Sequence, residues 1–168
     1  MTEQGKVVSI NVSKKKGGKK FPVKKAYITF EGIKGDAHSG KWHRQVSLLS
    51  YDSMKSFNEK AKKKLLDSDN SSFSPTVPGD FGENITTSNI DLKNLKIGDR
   101  LIIVSEKNSD LGAEENVILE VTQLGKDCPA PCSIYYRIGS CIMPQEGIFC
   151  KVVKTGRIKT GDKIYLYN

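Results

Sequence analysis

The sequence predicts a mainly β protein of the α+β class, arranged as a barrel or a sandwich with one or more short helices. Seven or more short apolar segments have strand character, and clusters of Gly, Pro, Asn and Asp separate them. This punctuation is typical of barrels and sandwiches and not of alternating βαβ units. Only one segment has a clear helical period. The length of 168 residues suits one domain, and we expect it to span residues 1–168.

Two kinds of apolar pattern predict the strands. The run 101–104 is continuously apolar, which predicts burial on both sides, and 45–49 is a further short run. Alternation of apolar and polar residues predicts half-buried strands. It occurs in residues 8–12, 26–30, 117–121, 148–152 and 164–166.

Residues 50–65 carry the signals of an amphipathic helix. Ser50 is suited to cap its N-terminus, and Asp52 favours the positive end of the helix dipole. Lysines at 60 and 62–64 predict the solvated face. Apolar residues recur every three or four positions, at Met54, Phe57, Ala61 and Leu65. Residues 88–95 are compatible with a short turn or helix.

The charge balance narrows the classes of partner. The 27 Lys and Arg residues exceed the 19 Asp and Glu residues, which gives a formal net charge of +8. The lysines at 14–16, 19–20 and 24–25 predict a solvated loop around Gly17 and Gly18. The lysine runs lack the interleaved aromatic and arginine residues of nucleic-acid-binding modules, so nucleic acid is only a minor alternative. The charge instead favours an anionic ligand or an acidic protein.

The expected compartment decides how the cysteines are interpreted. No apolar run approaches the roughly 18 residues of a membrane span, and the first residues carry neither a charged-then-apolar leader nor a lipidation signal. We therefore expect a cytoplasmic protein with no membrane partner. In a reducing compartment its four cysteines predict reactive thiols or a metal site rather than disulfides. Only Cys128 and Cys132 form a close pair, which argues against a zinc ribbon.

The loop 122–134 holds the strongest chemical signal. Lys126 lies close to Cys128 and would favour its thiolate, the form that attacks sulfur or binds a soft metal. Prolines at 129 and 131 stiffen this loop. The alternative is that Cys128 and Cys132 are ordinary buried cysteines. Cys150, by contrast, shares a predicted strand face with Ile148 and Val152, so we expect it to be a buried, inert thiol.

Two other segments contain more special residues than folding requires. Residues 35–45 hold Asp36, His38, His43 and Arg44 between glycines and a strand, which predicts a ligand-binding loop. The alternative is that the tryptophan of this loop packs and the histidines only bond locally.

Residues 78–87 contain Gly82, Glu83 and Asn84. Glycines allow a ligand to approach backbone N–H groups closely, which suits an anion such as phosphate. The alternative is that these glycines only make turns.

Together, these segments resemble the MOSC domain, the module found at the C-terminus of molybdenum cofactor sulfurases and in small stand-alone bacterial proteins. The resemblance runs in the family's order over most of the chain. It rests on residues 35–38 with 44–49, 78–86, 95–101, 120–123 leading to Cys128, and 147–149 ending in Gly161 and Asp162. Residues 125–128 and 139–144 are similar to the short stand-alone type of anaerobic bacteria.

The resemblance implies a β-barrel fold and a defining cysteine on the loop after residues 120–123, which carries sulfur or ligates molybdenum in a pterin cofactor. Cys128 fits the family's usual placement, while Cys132 fits relatives that carry a close pair and use the second cysteine. We expect these two residues to be the catalytic thiols and the metal ligands. The expected cofactor contacts are Asp36, His38, His43, Arg44, Gly82, Glu83, Asn84 and Lys126.

The resemblance also implies a function associated with the molybdenum–pterin cofactor. The chain would act in metal–sulfur transfer, as a sulfurtransferase, or in molybdenum-dependent reduction of N-oxygenated compounds, as an oxidoreductase. The alternative is a non-catalytic carrier or chaperone for sulfur or cofactor. The expected partners are the cofactor, its biosynthesis or acceptor proteins, and a cysteine desulfurase. The sulfurases carry a pyridoxal-phosphate domain upstream, and we do not expect this chain to bind pyridoxal phosphate alone.

Overall fold

The described part of the chain contains eleven strands and three helices. The structure, a computed structural model, describes residues 4–68, 72–107, 110 and 113–167. All seven predicted strand segments are confirmed as strands. In chain order the elements are β1 (Gln4–Val12), β2 (Phe21–Val23), β3 (Lys25–Thr29), β4 (Gly32–Ile33), β5 (Val46–Ser50), α1 (Tyr51–Asp67), β6 (Ile85–Ser88), β7 (Arg100–Val104), β8 (Val117–Leu124), α2 (Ser133–Ile138), α3 (Met143–Glu146), β9 (Ile148–Lys154), β10 (Gly156–Lys159) and β11 (Lys163–Tyr167).

Among these elements, seven strands close into a barrel. Their order is β11-β7-β8-β9-β5-β6-β1, and β1 pairs back with β11 through Gln4, Gly5 and Lys6. Strands β5 and β6 are parallel because α1 connects them as a crossover, while the other neighbours in the ring are antiparallel. Strand β2 extends the sheet beside β1, and β10, β3 and β4 form a small second sheet. The mainly β prediction is confirmed, and of its two architectures the structure has the barrel.

Strand β1 departs from the simple alternation in its sequence. Its pairing with β6 shifts register between Val7 and Ser9, as a β-bulge does. Because the bulge changes which side chains face inward, Val7 is fully buried while Val8 is only partly buried. Ile10, beyond the bulge, is fully buried. Phe30, which the sequence pattern included in a strand, follows the end of β3 and is exposed.

The predicted helix is confirmed as α1. The Ser50 side chain accepts a hydrogen bond from the backbone N–H of Ser53 and so caps the first turn. Its lysines at 60 and 62–64 are exposed. Its apolar side packs against the outside of the barrel in a second hydrophobic cluster, separate from the barrel core. That cluster contains Met54, Phe57 and Ala61 of α1 with Leu49, Phe81, Ile134, Ile138, Met143 and Phe149.

Helices α2 and α3 are short and were not predicted from the sequence. Helix α2 begins after Cys132 and ends at Gly139, whose φ of 85° lies in the left-handed region that glycine tolerates. Ile134 and Ile138 of α2 and Met143 of α3 bury their side chains in the second cluster. Residues 88–95 form turns rather than a helix. No helix in the described residues is long and apolar enough to cross a membrane.

Gly79 joins two loops that the candidate site depends on. Its carbonyl accepts a hydrogen bond of 2.8 Å from the backbone N–H of Lys20, and its own N–H donates to Glu83 Oε1 at 2.7 Å. Its φ is +93°, and a Cβ at this position would overlap the backbone carbonyl oxygen of Lys20. Gly98 has a similar φ of +97° but has no neighbouring atom within 4 Å of a Cβ.

We expect Gly79→Ala to lower the free energy of unfolding much more than Gly98→Ala. Both variants bear the cost of a non-glycine residue at positive φ, about 1–3 kcal/mol. Only Gly79→Ala must also displace neighbouring backbone, which adds about 1–3 kcal/mol. Chemical denaturation of both variants beside the unchanged protein measures the difference. Equal losses would contradict the close approach of Gly79 to Lys20.

Candidate functional site

A pocket of about 500 Å³ brings the three candidate segments together. Its wall is formed by the loop after β1, the loop between β4 and β5, the turn before β6, and the cysteine loop between β8 and α2. Seven of the predicted site residues line it: His38, Arg44, Gly82, Asn84, Lys126, Cys128 and Cys132. We call this pocket the central cavity.

The other three predicted site residues lie off the wall. Asp36 and Glu83 are buried behind it, with 6% and 0% of their surfaces exposed. His43 is exposed, and its backbone carbonyl accepts a hydrogen bond from the Thr122 hydroxyl of β8. The structure therefore gives Asp36 and Glu83 no direct exposure to a ligand in the central cavity.

Planar side chains stack along one side of the central cavity. The rings of His38 and Trp42 are 6.2 Å apart and inclined by 16°. The Arg44 guanidinium lies 4.8 Å from the Trp42 ring centroid and 5.6 Å from that of Phe149. These contacts fix the guanidinium plane. Arg44 Nε is buried and has no hydrogen-bond partner among the described residues.

Behind this wall lies a buried ion pair that the sequence did not predict. Lys20 is 1% exposed, and its Nζ lies 2.7 and 2.6 Å from the two carboxylate oxygens of Asp36. The interpretation of 19–20 as solvated is therefore wrong for Lys20, because the ammonium is paired inside the protein. Burial raises the pKa of Asp36, but the hydrogen bonds from Lys20 and from the backbone of Ser13 outweigh it and hold the pKa below its usual value.

Asn84 connects this ion pair to the barrel. Its Nδ2 donates to Asp36 Oδ2 and to the backbone carbonyl of Asn11, both at 3.2 Å. Its Oδ1 accepts from the backbone N–H of Ser47 at 3.1 Å. Although Asn84 lines the central cavity, its amide is engaged within the protein. Its observed role is to join β1, the start of β5 and the loop that carries His38.

Asp80 links the turn before β6 to α2, the helix that follows the cysteine loop. Its carboxylate lies 3.1 Å from Lys19 Nζ and 3.1 Å from the guanidinium of Arg137 on α2. Burial raises the pKa of Asp80, but the Val77 N–H and these two cations outweigh it and lower the pKa. Asp80 was not singled out from the sequence, because nothing in its own segment indicates a partner 57 positions away.

Three thiols line the central cavity. Cys128 and Cys132 are exposed, as predicted for a reachable pair, and Cys141 is partly buried. Burial raises the pKa of the Cys141 thiol, and the charges of Cys132 and Cys128 act in the same direction. The same three cysteines line a second pocket of about 510 Å³, which also contains Tyr135 and Gln145. We call it the outer pocket.

The fourth cysteine behaves as the strand pattern predicts. Cys150 is fully buried in β9, and burial raises the pKa of its thiol. Among the residues that the structure describes, no group of three or more His, Cys, Asp or Glu side chains is arranged to hold a metal ion. A metal at the exposed thiols would therefore have to bring further ligands with it.

Glu83 closes the turn between Gly79 and β6. Its Oε1 accepts from the Gly79 N–H at 2.7 Å and from the Thr86 hydroxyl at 2.9 Å. Burial raises the pKa of Glu83 despite these hydrogen bonds. The carboxyl thus supports the wall of the central cavity from behind.

Comparisons with known proteins agree with this architecture. The family model of the MOSC domain matches residues 35–165. The crystal structure of the YuaD protein from Bacillus subtilis is similar over 100% of both chains, with 21% identity and a TM-score of 0.73. YiiM from Geobacillus stearothermophilus shares 18% identity, with a TM-score of 0.66 over 98% of this chain and 75% of that one. YiiM from Escherichia coli shares 16% identity, with a TM-score of 0.59 over 100% of this chain and 70% of that one.

At these identities the structural likenesses show the fold alone. No curated protein matches the chain at the significance applied to these comparisons.

We expect the four thiols to react with iodoacetamide in the order of their exposure. Cys128 and Cys132 should be alkylated first, Cys141 more slowly, and Cys150 last, because burial limits both access and thiolate formation. A short pulse on the folded protein followed by peptide mapping measures the order, and unfolded protein gives the reference in which all four react. Labelling of Cys150 as fast as Cys128 would contradict the placement of β9.

We expect Glu83→Gln to become relatively more stable as the pH rises. A pKa raised by folding means that the proton on Glu83 stabilises the folded state below the unfolded pKa of about 4.3, and that this stability is lost as the pH rises through the folded pKa. Gln does not ionise and avoids this loss. Thermal unfolding from about pH 4.5 to 8 measures the difference, with exposed Glu59→Gln as the control for removal of one charge. A stability difference that does not change with pH would argue against the burial of this carboxyl.

Proposed function

The chain belongs to the MOSC domain family, and on that premise we propose that its central cavity binds a molybdenum–pterin cofactor, with Cys128 or Cys132 as the thiolate ligand. MOSC domains are associated with binding of the molybdenum cofactor or with the handling of sulfur. The observation that carries the proposal is that two exposed thiols share one cavity with the side chain of Arg44.

The donor set of the cavity fits such a group. Thiolates are soft ligands that suit a sulfur-rich metal centre. Arginine and exposed backbone N–H groups suit an anionic oxygen, such as that of a phosphate. Both chemistries occur within the same cavity, which Gly17 and Gly18 also line.

The residues that line the central cavity have distinct roles in this proposal. Cys128 or Cys132 would ligate the molybdenum. Arg44, whose guanidinium lies near the rings of Trp42 and Phe149, would donate to an anionic group of the cofactor. Lys126 would add positive charge. Asn84 would hold the wall in place rather than contact the cofactor. When bound, the cofactor would supply two-electron chemistry for oxygen or sulfur transfer.

The proposal also specifies the type of reaction, the partner proteins and the compartment. The chain would act as a sulfurtransferase or as a molybdenum-dependent oxidoreductase that reduces N-oxygenated compounds. Its partners would be proteins that make or accept the cofactor. A reducing compartment such as the cytoplasm would keep its thiols free.

A second candidate function is favoured by the outer pocket. Cys128, Cys132 and Cys141 line that pocket as well as the central cavity, so a thiol on this loop has two routes of access. A non-catalytic sulfur carrier needs such access, because it takes a sulfur atom from a donor and passes it on. A cysteine desulfurase would be the donor, and the sulfur would be held as a persulfide.

We expect the protein, purified anaerobically from a host that makes the cofactor, to retain molybdenum and pterin. Elemental analysis measures the metal, and fluorescence of the oxidised pterin measures the organic part. The substitution Cys128→Ser or Cys132→Ser should remove most of the molybdenum, whereas Cys150→Ala, in the buried strand β9, should leave it in place. Arg44→Gln should lower the content of both molybdenum and pterin.

One further measurement separates the two candidate functions. The purified protein is incubated with a cysteine desulfurase and free cysteine, and intact mass is measured before and after reduction. A reducible gain of one sulfur on Cys128 or Cys132, in a protein that retains no molybdenum, would favour the carrier. The absence of molybdenum and pterin from the unchanged protein would contradict stable binding of the cofactor.

A further inference from the structure

Lys20 contacts two different groups behind the central cavity. Its Nζ lies 2.7 and 2.6 Å from the oxygens of Asp36 and 3.3 Å from Nδ1 of His38. Asp36 Oδ2 also accepts the backbone N–H of His38 at 3.2 Å. The His38 side chain lines the cavity, so its Nδ1 is held from behind while the ring itself reaches the ligand space.

The chemistry of an ammonium group decides the roles of the two histidine nitrogens. Lysine has three N–H donors and no acceptor. Contact with both oxygens of a carboxylate requires that Lys20 be protonated, since an uncharged amine would leave Asp36 as an uncompensated buried charge. The nitrogen of His38 that faces Lys20 must therefore be an acceptor without a proton, so a neutral ring carries its proton on Nε2.

We propose that Lys20 is a positioning residue that fixes His38 as the neutral Nε2–H tautomer, so that the central cavity receives a neutral hydrogen-bond donor and not a cation. The ring orientation is fixed as well. Trp42 stacks on the His38 ring and its Nε1 donates to the His38 carbonyl at 2.9 Å.

The charges around His38 favour the same neutral form. Burial lowers the pKa of His38, and the nearby positive charge of Lys20 lowers it further. Asp36 opposes this shift, while Lys126 and Lys16 reinforce it. The net direction is downward, so the neutral form of His38 predominates at its ordinary pKa of about 6.5, where a free histidine would be half charged.

This inference rests on the proposed function in one respect, which is that a ligand fills the central cavity. The ligand atom opposite His38 would be a hydrogen-bond acceptor, such as an anionic oxygen. Near neutral pH its contact with His38 would depend on pH less than a contact with an unperturbed histidine, because the pKa of His38 is lowered. Arg44 and Lys126 would then supply the positive charge.

The tautomer can be measured directly in the protein without any cofactor. Two-bond ¹H–¹⁵N correlation spectra of uniformly ¹⁵N-labelled protein distinguish a protonated ring nitrogen from an unprotonated one. The sequence contains only two histidines, so His43→Gln leaves a single set of ring signals and assigns His38. We expect Nδ1 to be unprotonated and Nε2 protonated at pH 7. A proton on Nδ1, or an imidazolium at pH 7, would overturn the proposal.

A pair of lysine variants tests whether Lys20 is the cause. Lys20→Met should abolish the tautomer preference and raise the midpoint of His38 titration by about one pH unit, a tenfold gain in proton affinity, because Asp36 then faces His38 alone. Lys16→Met removes an exposed lysine whose charge also acts on His38, and it should leave the tautomer unchanged. Loss of the tautomer in Lys16→Met, or its retention in Lys20→Met, would contradict the proposal.

Different results would contradict the cofactor proposal and the proposed role of Lys20. The expected spectrum in a protein that retains no molybdenum would contradict only the cofactor proposal, and the opposite tautomer in a molybdenum-loaded protein would contradict only the role of Lys20. If Lys20→Met does not fold, a proton on Nδ1 in the unchanged protein, or loss of the tautomer in Lys16→Met, would still overturn the proposal.

Discussion

The carboxylate of Asp36 is the point on which the walls of the central cavity converge. It accepts hydrogen bonds from the backbone of Ser13, from the Lys20 ammonium, from the backbone of His38 and from the amide of Asn84. Three segments thus meet at one buried charge: the loop between β1 and β2, the loop that carries Asp36 and His38, and the turn before β6. Removing one partner of a buried ion pair typically costs about 3–5 kcal/mol, because the other charge is left uncompensated. The cavity therefore keeps its shape only while this carboxylate and its donors remain together.

The closed barrel lowers the conformational entropy cost of bringing these groups together, because its strands are already ordered by pairing. The parallel pair β5 and β6 brings Ser47 beside Asn84, and the antiparallel pair β1 and β6 brings Asn11 to the same place. Because β1 also pairs with β11, the ring cannot open at this point without breaking a second ladder. The polar network is thus built on strands that other pairings already fix. The loops that carry Lys20 and His38 need only a few further contacts to be ordered.

Sequence patterns predicted six of the seven barrel strands and α1, since their apolar periods reflect burial along a single element. The four-residue strand β6 was not predicted. Patterns failed where a contact joins distant segments. Lys20 looks like every other lysine of its run, and only the position of Asp36 in the folded chain distinguishes it. The bond between Asp80 and Arg137 is hidden for the same reason. The β-bulge that buries Val7 depends on its pairing with β6, which no local alternation encodes. Helix α2 is six residues long and is held by its contacts with the second hydrophobic cluster.

The two sides of the central cavity differ in how they are held. Buried hydrogen bonds fix the barrel side, whereas the thiols lie on an exposed loop. On the barrel side, buried bonds occupy the hydrogen-bonding groups of Asn84 and Asp36, and under the proposed function Arg44 and His38 would contact the ligand. On the other side, Cys128 and Cys132 are exposed on a loop outside the barrel strands. A substitution in that loop can change the reactive group without removing any donor to Asp36. The fold thus places a wall held by buried hydrogen bonds and a loop of exposed thiols around the same cavity.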